Sequence, residues 1–159
     1  MKQTKQVVNV FLLVTLCLAG LASGAESGAA EPGGGFDWRA FLAPFHTVTL
    51  HLPIGFVLMA VILEGYHFLR PSIQLRRTIG VVLVFSALSA VVVVMLGIFR
   101  AEGGGYEPET LEEHRWFGIA VGGVTVIAAL VHLAIFRKVP GKLPLSFYRF
   151  LLVADMVLL

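Results

Sequence analysis

Three long windows without a charged side chain set the strongest limit on how this sequence can fold. They cover residues 40–63, 78–99 and 116–136, and each holds 21 to 24 residues between flanking charges. A helix rises about 1.5 Å per residue, so each window is long enough to cross the roughly 30 Å hydrocarbon core of a bilayer. Only 14% of the residues are charged, whereas soluble domains carry about 25%. We therefore predict an all-α integral membrane protein.

A fourth apolar run begins near Leu143 and continues to the last residue of the sequence, Leu159. Beyond Arg149 only ten residues follow, and they would form roughly 15 Å of helix, which is too short to cross a bilayer. We expect this fourth helix to be incomplete. The predicted fold is a membrane four-helix bundle with helices at about residues 44–68, 78–99, 112–136 and, incompletely, 145–159.

The N-terminal segment is typical of a secretory signal peptide. A short basic stretch precedes an apolar run over residues 7–22, and small residues follow it up to Ala25, as at a cleavage site. We predict a signal peptide over residues 1–25, with an uncleaved anchor helix as the alternative. Residues 26–35 are predicted to be a flexible Gly-rich linker, and residues 36–159 the helical-bundle domain, which begins with an aromatic segment suited to the bilayer surface.

The loops predict how the bundle is oriented. Arg70, Arg76 and Arg77 lie between the first two spans, so this connection is expected in the cytoplasm by the positive-inside rule. The connection between the second and third spans carries five glutamates and belongs outside. We therefore expect a multi-pass protein of the bacterial cytoplasmic (inner) membrane, in contact with the lipid bilayer, with its N-terminus in the periplasm.

Charge and cysteine content exclude several function classes. Of 12 basic residues two are leader lysines, which leaves 10 basic and 10 acidic residues from Glu26 onward, so there is no electrostatic footprint for nucleic acid. The one cysteine, Cys17, lies in the leader, so disulfides, cysteine-bound clusters and C-x-x-C-H haem attachment are excluded from the mature chain.

No nucleotide-binding motif occurs, and no catalytic constellation stands out. We expect a redox or anchoring module rather than an enzyme, although enzymatic activity stays open.

The predicted orientation places three histidines, His46, His51 and His114, at the outer ends of their helices, and His67 and His132 at the inner ends. Ionisable groups in spans are costly and usually face a cavity or a partner. Thr110-Leu-Glu-Glu113 is a capping box, which predicts that the third span begins near Leu111.

Small or polar residues follow His114 along one face of the third span, at helical spacing. They are Gly118, Val121, Thr125, Ala128 and His132, with Gly122 at the margin. This face would leave room for a flat porphyrin, or for a neighbouring helix, since Gly-x-x-x-Gly is also a close-packing motif in membranes.

In the first span, His46 and His51 are five residues apart, which is about 140° around a helix, so one flat site would not easily use both. Pro53 is expected to bend this helix and to turn His51 inward. A polar stripe runs from His46 through Pro53 to Glu64. We expect Glu64 to pair with Arg70 or His67, or to handle protons.

Three functional classes fit these residues. A b-type haem (haem b) would have two imidazole ligands from facing helices, His51 or His46 on one side and His114 on the other, with Gly118 beneath; His51 and His114 are the preferred pair. A transition-metal site would use His51 and His114, with His46 and Glu113 near. A cofactor-free membrane anchor or assembly domain needs no ligand at all.

Three segments together resemble a known family. Residues 45–56 read Phe-His-Thr-Val-Thr-Leu-His-Leu-Pro-Ile-Gly-Phe, residues 103–106 Gly-Gly-Gly-Tyr, and residues 110–119 Thr-Leu-Glu-Glu-His-Arg-Trp-Phe-Gly-Ile. The pattern resembles an uncharacterised four-helix bacterial membrane domain, domain of unknown function two-two-three-one, of planctomycete type and often attached to c-type cytochrome modules. The resemblance implies that His46, His51 and His114 are motif positions. It also implies a redox setting, with a c-type cytochrome as partner and with homo- or hetero-oligomers possible.

Overall fold

The computed structural model describes residues 36–135 and 142–159. Within these ranges the chain forms helices joined by short connections and no strand, which confirms the all-α prediction. The helices are α1 (Trp38–Leu42), α2 (Phe45–Thr49), α3 (His51–Leu69), α4 (Ile73–Glu102), α5 (Pro108–Ile135) and α6 (Lys142–Leu158). The predicted signal peptide and linker lie outside the described residues.

Among residues 36–135 and 142–159, three helical stretches are long and apolar enough to cross a membrane. They are Phe45–Leu69, which joins α2 and α3, then Ile73–Glu102 and Pro108–Ile135. The buried share of their most apolar windows is 17%, 44% and 28% in that order, so α4 is the central helix of the bundle. Large apolar side chains cover the outside of the other helices, which suits a surface in contact with lipid. The chain is a membrane protein.

The core of the bundle forms along one side of α4. Ile79, Leu83 and Ala87 of this helix are fully buried, and they belong to one cluster with side chains from every other long helix. Those partners are Ala60 from α3, Ala129 and Ile135 from α5, and Tyr148 and Leu152 from α6. Several of the buried positions are alanines, which lets the helix backbones approach closely, as is usual between membrane helices.

The first span is interrupted where the proline predicts it. Proline has no N–H and its ring crowds the preceding turn, and the helix divides at Leu50, three residues before Pro53, into α2 and α3. The hydroxyl of Thr49 donates to the carbonyl oxygen of Phe45 at 2.8 Å. Below the interruption the predicted stripe faces the core, since Pro53 and Glu64 are among the buried residues of α3.

The predicted start of the third span is wrong. The helix begins at Pro108 rather than near Leu111, and the backbone N–H of Leu111 donates to the carbonyl oxygen of Glu107 at 3.0 Å. Proline is favoured in the first helical turn, because its fixed φ suits a helix and its missing N–H would have no partner there. The capping-box residues Thr110 and Glu113 therefore lie inside the helix.

Candidate functional site

The outer end of the bundle is closed on one side by α1. Asp37 caps this short helix by accepting from the backbone N–H groups of Arg39 at 2.9 Å and Ala40 at 3.1 Å. The Nη1 of Arg39 then donates to the Glu102 carboxylate at 3.2 Å, which ties α1 to the last residue of α4. The chain enters α2 from here, and this placement sets the position of His46.

His46 and His114 face each other at this end of the bundle. Their ring centroids are 6.3 Å apart and their ring planes are nearly perpendicular, at 86°. The Nδ1 of His46 is 3.0 Å from the carbonyl oxygen of Val93 in α4. A carbonyl oxygen can only accept, so Nδ1 carries the proton, and in the neutral ring Nε2 keeps its lone pair.

Two glycines shape the space around this histidine pair. A Cβ placed on Gly97 of α4 would lie 3.0 Å from Cε1 of His46, so the imidazole packs directly against the glycine backbone. A Cβ on Gly118 would meet nothing within 4 Å. Gly118 follows His114 by one turn of α5, so the space beside this turn is open.

His51 lies apart from this pair. Its side chain is exposed, and its Nδ1 is 3.4 Å from the carbonyl oxygen of Val48 in the preceding turn. The expectation that Pro53 turns His51 inward is therefore wrong. The five-residue spacing turns one histidine of the first span inward and the other outward, and the inward one is His46. Of the four residues singled out in the sequence, the structure brings together His46 and His114, with Gly118 alongside.

A group of three or more His, Cys, Asp or Glu side chains able to share a metal ion does not occur among residues 36–135 and 142–159. The predicted neighbour Glu113 is exposed on α5.

A cleft of about 760 Å³ opens at the outer end of the bundle, and neither His46 nor His114 lines it. Its wall includes Pro44, two residues before His46, and otherwise comes from α1 and its flanking residues, the end of α4 and the loop that follows it. Aromatic and charged side chains alternate around it: Phe36, Trp38, Arg39, Phe99, Arg100 and Tyr106. The volume lies within the usual range of small-molecule and cofactor sites, about 300–1,000 Å³.

The predicted small-residue face of α5 is largely filled by neighbouring helices. A Cβ on Gly122 would lie 3.1 Å from a methyl group of Val94 in α4. The Thr125 hydroxyl is 2.9 Å from Oδ1 of Asp155 in α6, a residue with no exposed surface. From Gly118 towards the inner end of the bundle, neighbouring helices therefore pack against this face of α5. Only the outer part of the face is left open.

A second polar cluster lies at the inner end of the bundle, around Glu64. Nη1 of Arg76 donates to one oxygen of the Glu64 carboxylate at 2.5 Å, and Nε of Arg149 donates to the other at 3.2 Å. The predicted partners were wrong: Arg70 is exposed, and His67 accepts the backbone N–H of Ser72.

His132 and Tyr148 complete this inner cluster. Nε2 of His132 is 3.2 Å from the carbonyl oxygen of Arg76, and its ring lies edge-on to Tyr148 at 5.1 Å. These side chains join α4, α5 and α6 around one carboxylate on α3. Sequence reasoning also missed Asp155, which could have been noticed as the only acidic residue after Glu113.

Comparison with known proteins finds no family model, curated protein or solved structure that matches this chain. Any functional interpretation must therefore come from the chemistry of the side chains at the two ends of the bundle.

Proposed function

We propose that this chain is a membrane-integral electron-transfer module that holds one b-type haem between His46 and His114 at the outer end of its bundle. The observation that supports the proposal is the facing histidine pair, with ring centroids 6.3 Å apart. Haem iron in membrane proteins takes axial ligands from facing helices, and these two imidazoles come from α2 and α5.

The spacing of the pair suits two ligands of one metal ion. Metal–nitrogen bonds of about 2.0–2.1 Å bring two imidazole centroids to roughly 5–6.3 Å from each other, depending on the angle at the metal. The perpendicular ring planes are no obstacle, because each imidazole can turn about its own metal–nitrogen bond. The open space beside Gly118 would let a haem reach the histidine pair from the side of α5.

The hydrogen bond to Val93 prepares His46 for such a role. A ligating histidine usually donates its other ring N–H to a carbonyl or a carboxylate, which fixes its tautomer and raises its basicity. Here Nδ1 donates to Val93 and Nε2 is left to bind. The second ligand, His114, is exposed and free to adjust its rotamer. Bound haem would supply one-electron chemistry.

The module is proposed to lie in the cytoplasmic membrane. The basic inner connections and the acidic outer loop favour the cytoplasmic membrane, with the histidine pair on its periplasmic face. The resemblance to the planctomycete-type membrane domain family favours a c-type cytochrome as redox partner. In that setting the module would exchange electrons with a protein outside the membrane.

The test is a reduced-minus-oxidised absorption spectrum of the detergent-purified full chain, expressed with haem available. We expect the bands of a six-coordinate b-type haem in the wild type and their loss in His46→Ala and His114→Ala. His51→Ala and His132→Ala are matched controls, because each removes an imidazole from the same bundle without touching the pair. Both should keep the bands.

A spectrum without haem bands in the wild type would refute the proposal. Elemental analysis of the same sample then separates the two remaining readings: stoichiometric zinc or copper indicates a metal site, and none indicates a cofactor-free membrane anchor. Loss of the bands in His51→Ala with retention in His46→Ala would refute the assignment of the ligands and keep the haem.

A further inference from the structure

An apolar groove lies between α3 and α6, at the end of the bundle opposite the histidine pair. Its volume is about 240 Å³. The wall is formed by apolar side chains together with the Glu64 carboxylate; the apolar ones are Val61, Phe68, Leu152 and Val153. A Cβ on Gly65 would meet nothing within 4 Å, so the missing side chain leaves the groove open along α3. Arg149 lines the same groove.

The guanidinium of Arg149 is only partly used by the protein. Its Nε donates to Glu64, and its central carbon lies 5.4 Å from the ring centroid of Phe68. Within the part of the chain that the structure describes, its two terminal nitrogens meet no acceptor, and the side chain is 37% exposed. Two parallel N–H donors therefore remain for a planar or tetrahedral anion, the geometry in which arginine binds phosphate.

The charges of the inner cluster do not cancel. Glu64 supplies one negative charge and already forms an ion pair with Arg76, whose side chain is 8% exposed. Arg149 is thus the surplus cation of the three. Arg149 contacts the same Glu64 carboxylate as Arg76. Arg76 is the fourth residue of α4, roughly 5 Å along the helix from its start. The surplus charge of Arg149 therefore lies near the depth at which a bilayer carries its phosphates.

We propose that the groove binds one anionic phospholipid, with its phosphate on the terminal nitrogens of Arg149 and an acyl chain along Gly65 and Val153. Basic pockets between membrane helices near the cytoplasmic surface are the kind of site that holds anionic lipid headgroups. The apolar wall selects a lipid rather than a free phosphate, because it buries hydrocarbon next to the anion. This site is independent of any haem at the outer end.

The proposal is tested by native mass spectrometry of the full chain in neutral detergent. The protein is titrated with phosphatidylglycerol or with phosphatidylcholine of the same acyl chains. We expect the wild type to retain one phosphatidylglycerol in preference to phosphatidylcholine. Arg149→Gln should lower phosphatidylglycerol retention about fivefold, the factor that corresponds to about 1 kcal/mol per basic residue near the membrane surface. The buried pair of Glu64 and Arg76 is left intact in this variant.

Arg77→Gln is the matched control, since it removes an exposed arginine from the same end outside the groove, and it should retain the lipid. Gly65→Leu fills the groove without a change of charge, and it should weaken retention of both lipids. Equal losses in Arg149→Gln and Arg77→Gln would mean general surface attraction and overturn the proposal. Full retention in Gly65→Leu, with displacement by soluble glycerol phosphate, would mean a free phosphate site and overturn it as well.

Discussion

The buried ion pair at the inner end makes a quantitative prediction for Arg76→Met. Methionine keeps much of the side-chain volume and removes the charge, so in the variant Arg149 is the cation that still contacts Glu64. The contact that is lost joins two side chains that are 8% and 9% exposed. The contact that stays involves Arg149, which is 37% exposed and can be solvated from outside the bundle.

These exposures set the expected magnitudes. Removing one partner of a buried pair costs about 3–5 kcal/mol, because the other charge is left uncompensated, whereas exposed pairs contribute about 0.2–1 kcal/mol. The retained contact to Arg149 offsets part of the larger figure. We expect Arg76→Met to lower the free energy of unfolding by about 3 kcal/mol, Arg149→Met by about 1 kcal/mol, and exposed Arg77→Met by less than about 0.5 kcal/mol.

The assay is reversible unfolding by SDS in mixed micelles, followed by far-UV circular dichroism, on all three variants and on the double variant Glu64→Gln/Arg76→Met. The double variant should recover about 2 kcal/mol relative to Arg76→Met alone, because no unpaired carboxylate is left in the bundle. If Arg76→Met is as stable as Arg77→Met, or if the double variant is the least stable, the reasoning from burial is refuted.

Three further predictions concern other parts of the bundle. Gly97→Ala should displace the imidazole that packs 3.0 Å from the added Cβ and weaken haem retention, while Gly123→Ala, on an exposed position of α5, should keep it and gain about 1 kcal/mol of helix stability; equal haem spectra in the two would contradict this. Thr125→Val should cost about 1 kcal/mol, and the loss should disappear when Asp155 is replaced by Leu; a double-mutant coupling of zero would count against the interhelical bond. Trp38, alone in a single-tryptophan variant, should be quenched more by bromines near the lipid headgroups than by bromines at the tail ends; the reverse order would remove α1 from the interface.

Much of the fold follows from the sequence because bilayer thickness and helical periodicity are strong constraints. The uncharged windows predict the three long helices, and the stripe that runs to Glu64 predicts which side of the first span is buried. Helix ends were harder to predict. Pro108 and the Thr110 capping box are competing start signals a few residues apart, and the proline determines the start. The charged residues at the beginning of α4 do not end the helix, which begins at Ile73.

The site was only partly predictable, because its deciding contacts join distant parts of the chain. The spacing of His46 and His51 indicates that one of them faces inward, but the choice depends on Val93 and its neighbouring turn, 47 residues from His46. Glu64 has Arg70 close in sequence, yet its partner lies on the next helix. These pairings require the crossing geometry of the helices, which a single sequence pattern does not contain.

The order in which the cations of the inner cluster are synthesised follows from its sequence separations. Arg76 is 12 residues after Glu64 and Arg149 is 85 residues after it. At about 5–20 residues per second, the first cation follows the carboxylate within roughly 1–2 s and the second only after roughly 4–17 s. The first two spans can therefore leave the ribosome with a cation already available to the Glu64 carboxylate. Arg149 arrives at a carboxylate that already has a cationic partner, so most of its charge stays available to a ligand from outside the bundle.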